Sequence, residues 1–226
     1  MNYFDVKGFE SSSSIKAFEE LYTGRKSIEV TPERQKEIFA EGTLLDFLIT
    51  EPERVNRKTF TIEDDHKSIT FSKKKFDCNL KMADAFFNHS LASSLLANGI
   101  PQKEFYRTVN LEYKREKFKV KIKCKLDIYS KVYSCDIKST AATSLVSFVN
   151  SMLLFRQNRQ GAIYTDVAKN KGIFYIGIQK IDSIKKTPKV FDYLIEPTGK
   201  IDTRGLYQKG KASYIELLHK KQYLGL

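Results

Sequence analysis

From Lys117 to Leu126 the chain alternates without a break: Lys117, Lys119, Lys121, Lys123 and Lys125 take the odd positions, and Phe118, Val120, Ile122, Cys124 and Leu126 the even ones. A helix would scatter those lysines round its circumference. A strand sends successive side chains to opposite faces, so it gathers the lysines on one side and the apolar set on the other. The segment is therefore predicted to be a half-buried strand that needs a partner and a layer to cover its apolar face. Val109, Leu111 and Tyr113 supply the period of an antiparallel partner, with Arg115-Glu116 near the turn. The stripe also locates charge. From Lys103 to Lys131 there are ten Lys or Arg against four acids, in a chain of 226 residues with a formal net charge of +12. That balance points to a polyanionic partner, nucleic acid before membrane.

Around this strand the period changes. Ser11 to Ser14 precede Ile15, Phe18 and Leu21 as a capped short helix, and Thr31-Pro32-Glu33 opens a longer one that runs to about Thr50. Arg54 to Ser72 read as a polar, strand-poor connection, followed by one helix from about Phe76 to Leu96 that Asn98-Gly99-Ile100-Pro101 stops. Val132 to Ile137 is predicted as a third strand, Ser144 to about Val167 as a helix, Ile173 to Ile178 and Val190 to Ile195 as strands, and Tyr207 to Leu218 as a closing helix. Helices, a strand meander, then a helix and further strands make one α/β or α+β unit. No run approaches the roughly 18 apolar residues of a spanning helix, and Met1 to Glu10 has no apolar secretory core. The three cysteines, Cys78, Cys124 and Cys135, are odd in number and unclustered, which favours a reducing, cytoplasmic setting over a disulfide framework or a zinc knuckle.

Common catalytic signatures are missing. His66, His89 and His219 show no HxH or HExxH spacing, and there is no GxSxG, P-loop or GxGxxG segment. Carboxylates are the better lead. Asp127 ends the lysine-striped strand and Asp136-Ile137-Lys138 ends the next. Residues i and i+2 of a strand share a face, so Asp136 and Lys138 project together while Ile137 turns to the core. If the strands are neighbours, Asp127 approaches Asp136, and two carboxylates there suit a hard divalent cation with a lysine beside it to orient water. Asp-x-Lys spacing recurs at Asp5-Val6-Lys7 and Asp65-His66-Lys67, but only the Asp136 copy follows a strand and has an upstream partner at another strand end. On spacing alone, a metal site and a surface ion pair are both open.

Asp127 with Asp136-Ile137-Lys138 resembles the PD-(D/E)XK nuclease core, a mixed central β-sheet flanked by helices. Gly42-Thr43-Leu44-Leu45-Asp46-Phe47-Leu48-Ile49, running into Glu51-Pro52-Glu53-Arg54, is similar to that family's GTxxHxLLxEPE helix. Lys123-Cys124-Lys125-Leu126-Asp127, Asp136-Ile137-Lys138-Ser139-Thr140 and Gln160-Gly161-Ala162-Ile163-Tyr164 resemble its remaining motifs in order. The order and spacing, with the Ser-rich opening before Ile15, resemble the RecE-like, exonuclease VIII type branch of phages and prophages over roughly residues 10 to 195. The resemblance implies a single nuclease-like domain over 1–226, with a mostly helical part (1–100), a catalytic core (101–195) and a C-terminal extension (196–226). It implies Asp127 and Asp136 as ligands of Mg²⁺ or Mn²⁺, completed by the Ile137 carbonyl, with Glu104 as an outer ligand and Lys138 as the catalytic lysine. Gln160 and Tyr164, i and i+4 on one helix face, would position the scissile strand. Asp46 stands where the family usually has a metal-binding His; an aspartate suits a hard ion. Leu126 replaces the proline of the motif. Lys119, Lys121, Lys123 and Lys125 are then expected to contact DNA phosphates. The expected activity is exonucleolytic, from linear duplex ends, 5′ to 3′, in phage-type recombination, with a homo-oligomer and a single-strand annealing protein as possible company. An endonuclease on the same core, or an accessory DNA-binding protein without turnover, are the alternatives.

Overall fold

The structure, a computed structural model, describes residues 3, 6–24, 31–64 and 67–226, so Asp5, Asp65 and His66 lie outside the described residues. In chain order it runs α1 (Ser12–Thr23), α2 (Pro32–Thr50), a single 3-10 turn (Pro52–Arg54), β1 (Val55–Asn56), β2 (Thr61–Asp64), β3 (Lys67–Thr70), α3 (Lys73–Asn88) and α4 (Ser90–Ala97). Then follow β4 (Ile100–Tyr113), β5 (Glu116–Tyr129), β6 (Tyr133–Thr140), α5 (Leu145–Leu154), α6 (Gln157–Ala168), β7 (Gly172–Gln179), β8 (Val190–Ile195) and α7 (Ile201–Tyr223). Among the described residues, no helix is long and apolar enough to cross a membrane.

The main sheet has the order β4-β5-β6-β7-β8 and is mixed: β6 and β7 are parallel, and the other neighbours are antiparallel. A parallel pair needs a long crossover, which α5 and α6 supply. The lysine-striped strand is β5. It pairs with β4 along their whole length, from Ile100↔Tyr129 to Tyr113↔Glu116, round a two-residue turn in which Lys114 and Arg115 both have positive φ, 50° and 71°. Ile122, Cys124 and Leu126 enter a core with Ile163, Tyr175 and Tyr214, while Ile137, Ile176 and Ile178 enter a second core with Leu44, Leu48 and Phe86. The sheet thus has one core on each face, α6 and α7 over one and α2 and α3 over the other.

Four sequence expectations change. The polar stretch Arg54 to Ser72 holds a small antiparallel sheet, β1-β2-β3, with Ile62 opposite Ile69. Its strands bear too few apolar residues to print an alternation. The single helix expected over Phe76 to Leu96 is two, α3 and α4: His89 takes an extended backbone and its Nδ1 accepts the Ala92 N–H, capping the second. The helix expected over Ser144 to Val167 breaks likewise, at Arg156, whose φ is 60°. The closing helix is longer than Tyr207 to Leu218 at both ends.

On α7, the Tyr207 and Tyr214 hydroxyls donate to the two carboxylate oxygens of Asp166 on α6, and Lys211 lies 2.9 Å from the same group. The two helices meet closely at Gly210, where an added Cβ would stand 2.2 Å from the Asn158 carbonyl oxygen. Gly210→Ala is therefore expected to force α7 off α6 and to cost about 1–3 kcal/mol, read as a lower midpoint in thermal or urea unfolding. An unchanged midpoint would show that α7 does not press on α6 there.

Candidate active site

The site forms where β5 and β6 part. They pair at Ile128↔Cys135. At the next step Asp127 Oδ2 accepts the Ile137 N–H at 2.7 Å, so a side chain takes the place of a backbone partner and the strands fork. The edge of β5 beyond the fork is taken up by the N-terminal segment: Glu10 N–H donates to Lys121 O and Lys123 N–H to Glu10 O, both at 2.8 Å.

Three carboxylates and one lysine share this fork. Asp136 is 2% exposed, and its Oδ2 lies against Lys138 Nζ as an ion pair. Ile137 turns into the opposite core. From α2, Asp46 lies in the field of Asp127, Lys138 and Asp136. Burial first, then the charge of Asp127, hold the Asp46 carboxyl well above the usual carboxylate range. Burial and the neighbouring Asp136 push Asp127 up to about 7, and burial likewise raises Asp136, against the pull of Lys138. Burial alone would lower the Lys138 pKa, yet Asp136 and Asp127 raise it, so the side chain stays protonated. From α6, Gln160 Nε2 donates to the Tyr164 hydroxyl at 2.8 Å, and buried Tyr164 feels the Asp136 charge. The fork opens into a cleft of about 500 Å³ lined in part by Asp46, Asp127, Lys125, Gln102, Arg54 and Tyr164.

The donor set, the carboxylate oxygens of Asp46, Asp127 and Asp136, is of the kind that suits a hard divalent cation. Three acids face one ammonium, so negative groups outnumber the cation that the chain itself supplies. Among the described residues, no three acidic, His or Cys side chains already stand grouped as ligands; Lys138 leans on Asp136 instead. Glu104 stands apart, opposite Lys125 in the β4–β5 register and accepting the Tyr106 hydroxyl at 2.8 Å.

The lysine stripe divides. Lys119 and Lys121 are exposed and Lys125 lines the cleft, but Lys123 is buried, its ammonium donating to the Tyr3 and Val6 carbonyls at 2.8 Å each. Lys123 is thus spent on holding the N-terminal segment, which strict alternation could not reveal. Two cleft residues carried no expectation. Gln102 has a φ of 51° opposite the fork, and its Nε2 donates to Thr50 Oγ1 at 2.9 Å. Arg54 lies 4.3 Å over the Phe47 ring; its place in the Glu51-Pro52-Glu53-Arg54 segment was the available signal.

No curated protein sequence matches the chain significantly. Among solved structures, a crystal structure from Eubacterium rectale bearing the name "Putative exonuclease" aligns over 98% of this chain and 86% of its own, at 15% identity and a TM-score of 0.59, which shows a shared fold. The protein SSO0001 aligns over 54% of this chain and 55% of its own, at 17% identity and a TM-score of 0.31. The model of the PDDEXK-like domain of unknown function, DUF3799, matches residues 10–177, a span that takes in Asp46, the β5–β6 fork and the Gln160–Tyr164 pair, and the chain belongs to that family.

Proposed function

We propose that the chain is a divalent-cation-dependent deoxyribonuclease that digests linear duplex DNA from its ends, 5′ to 3′, as a RecE-like enzyme of phage-type recombination. The observation that carries this reading is the fork itself: Asp46, Asp127 and Asp136 lie in one another's field beside a protonated Lys138 at the edge of an open cleft. Membership of a PDDEXK-like family and the name borne by the Eubacterium rectale structure support it. Asp46, Asp127 and Asp136, with the Ile137 carbonyl, would hold Mg²⁺ or Mn²⁺, while Glu104, bonded to Tyr106, is left out of the set. Such an ion, when bound, polarises the phosphate and makes water more acidic.

The chain's own residues then have distinct work. Lys138, held protonated, donates hydrogen bonds to the attacking water and the charge that develops on phosphorus-bound oxygen; it is an electrostatic stabiliser and not a base. Gln160 fixes the Tyr164 hydroxyl, so that the phenolic proton is aimed by its neighbour. Lys119, Lys121 and Lys125 contact phosphates, which position DNA without reading sequence. Lys123 contributes by holding the segment that borders the cleft. A bacterial-cytoplasmic setting, a homo-oligomer and delivery of the product strand to an annealing protein complete the proposal.

The test is digestion of a linear, 5′-phosphorylated duplex and of a covalently closed circle of the same DNA, with Mg²⁺, Mn²⁺ or a chelator. Loss of the linear form alone, with mononucleotides released and none under chelation, is expected. Nicking of the circle would make the chain an endonuclease. DNA binding without turnover in either metal would make it an accessory protein.

A further inference from the structure

A second cleft, of about 470 Å³, opens beside the end of the strand that carries Asp136 and Lys138. Ser139, the residue after Lys138, lines it from the Ile137 face of β6, roughly 10 Å along the strand from Asp136 at about 3.3 Å per residue. Helix α2 borders both clefts, with Asp46 and Phe47 on the first and Arg34 and Glu41 on the second. The second cleft gathers five cations, Arg34, Lys74, Lys75, Lys180 and Lys186, against two acids, Glu41 and Asp182. These cations come from three separate parts of the chain, so the concentration is a product of folding and is invisible in any one stretch of sequence.

Two features argue that this charge is kept for a partner. Lys73, Lys74 and Lys75 fill the first turn of α3, which holds no acid. The helix dipole disfavours cations at that end, so the lysines weaken the helix they begin. Their internal partners offset this only in part: Lys73 lies 2.8 Å from Asp77, Lys75 3.0 Å from Glu41 and Arg34 2.7 Å from Glu37. Lys74 makes no ion pair among the described residues, Lys180 stands 3.7 Å from Glu41, and the Lys186–Asp182 pair is an exposed i,i+4 contact of the kind that contributes little. Among the described residues the lining holds no Phe, Tyr or Trp, so the cleft has no platform for stacking bases and suits a sugar-phosphate chain.

We propose that this groove carries the phosphodiester backbone of the single DNA strand on the far side of the scissile position, so that one strand is held across two adjoining clefts. The proposal rests on the nuclease reading and adds to it where the strand runs and that it is held without base preference. The catalytic cleft fixes the bond to be cut; the second groove keeps the strand engaged on its far side.

The experiment is fluorescence anisotropy of a labelled, mixed-sequence single-stranded oligonucleotide over a salt series, without divalent cation, using the full chain. Each phosphate contact adds about 0.7 to the slope of log affinity against log salt for single strands. Lys74→Ala with Lys186→Ala is expected to lower that slope by about 1.4 and to weaken binding on the order of tenfold at 0.1 M salt. Lys209→Ala, an exposed lysine of α7 over the other face of the sheet, is expected to change neither. The Mn²⁺-induced thermal shift of the double variant should equal that of the unaltered chain, which separates lost strand contacts from a damaged fold. An unchanged slope in a double variant whose parent binds DNA would overturn the groove alone. A slope change confined to duplex would overturn its assignment to a single strand. If the unaltered chain binds no DNA, the nuclease reading falls and takes the groove with it.

Discussion

Asp136→Asn is expected to abolish strand cleavage, by about 10³-fold or more, while leaving the fold and DNA binding in place. Asp136 is the most deeply buried of the three carboxylates that share the fork, 2% exposed, and it lies directly against Lys138. The asparagine side chain has nearly the same shape, so no cavity opens in the core beside Tyr164 and Tyr175. What disappears is a full negative charge at the point where a cation would be held and where Lys138 is aimed. At about 1.4 kcal/mol per decade, a 10³-fold loss is about 4 kcal/mol of transition-state stabilisation, within the several kcal/mol that metal-ion catalysis supplies. Removing one partner of a buried ion pair normally destabilises the fold severely. Here Asp127 and Asp46 also face Lys138, so its charge remains compensated. The check is the rate of mononucleotide release, read beside thermal unfolding and strand binding. Activity within tenfold of the unaltered chain, in a folded and binding variant, would remove Asp136 from the reaction.

How this site was legible follows from what sequence periodicity can carry. The i, i+2 spacing of Asp136 and Lys138, and the apolar Ile137 between them, placed two chemical groups on one face and a core anchor on the other, as the two cores confirm. The lysine alternation found β5 and its apolar face. The fork was not legible, because it depends on Asp127 taking the Ile137 N–H in place of a backbone carbonyl. Nothing in local spacing distinguishes that carboxylate from one that ends a strand in solvent. The same limit applies to Lys123, whose two carbonyl acceptors lie well over 100 residues away in sequence. The breaks at His89 and Arg156 escaped for a different reason. Apolar residues recur with helical spacing on both sides of each break, so the pattern runs straight through a change of direction that backbone angles alone impose. Asp46 was found through resemblance, and its proximity to Asp127 is a tertiary fact that a helix 81 residues upstream could not announce by itself.

The crowding of those acids leads to the second large effect, on stability. Burial and mutual repulsion hold Asp46 and Asp127 above the ordinary carboxylate range, Asp127 up to about 7. A carboxyl whose pKa is higher in the folded than in the unfolded chain binds more protons when folded. Stability therefore falls as pH rises from the ordinary range near 4 (roughly) through about 7. The cation-free chain is expected to lose stability across that window through these groups. Other titrations act over the same range, since a chain of net charge +12 gains self-repulsion as pH falls, so the comparison that isolates the site is with Asp46→Asn. That variant is expected to melt higher than the unaltered chain at pH 8 without cation, and the gap should close toward pH 5. Saturating Mg²⁺ or Mn²⁺ should reverse the order. A ligand at a hundred times its dissociation constant adds about 2.7 kcal/mol to the state that binds it, and the variant, lacking one donor, gains less. Equal melting of the two proteins at pH 8 without cation would mean that Asp46 does not share the field of Asp127 and Asp136. Equal gains on adding cation would mean that Asp46 is not a ligand. The order expected, a less stable cation-free protein and a more stable loaded one, is what a site built from like charges imposes: the arrangement that holds the ion is the arrangement the empty fold resists.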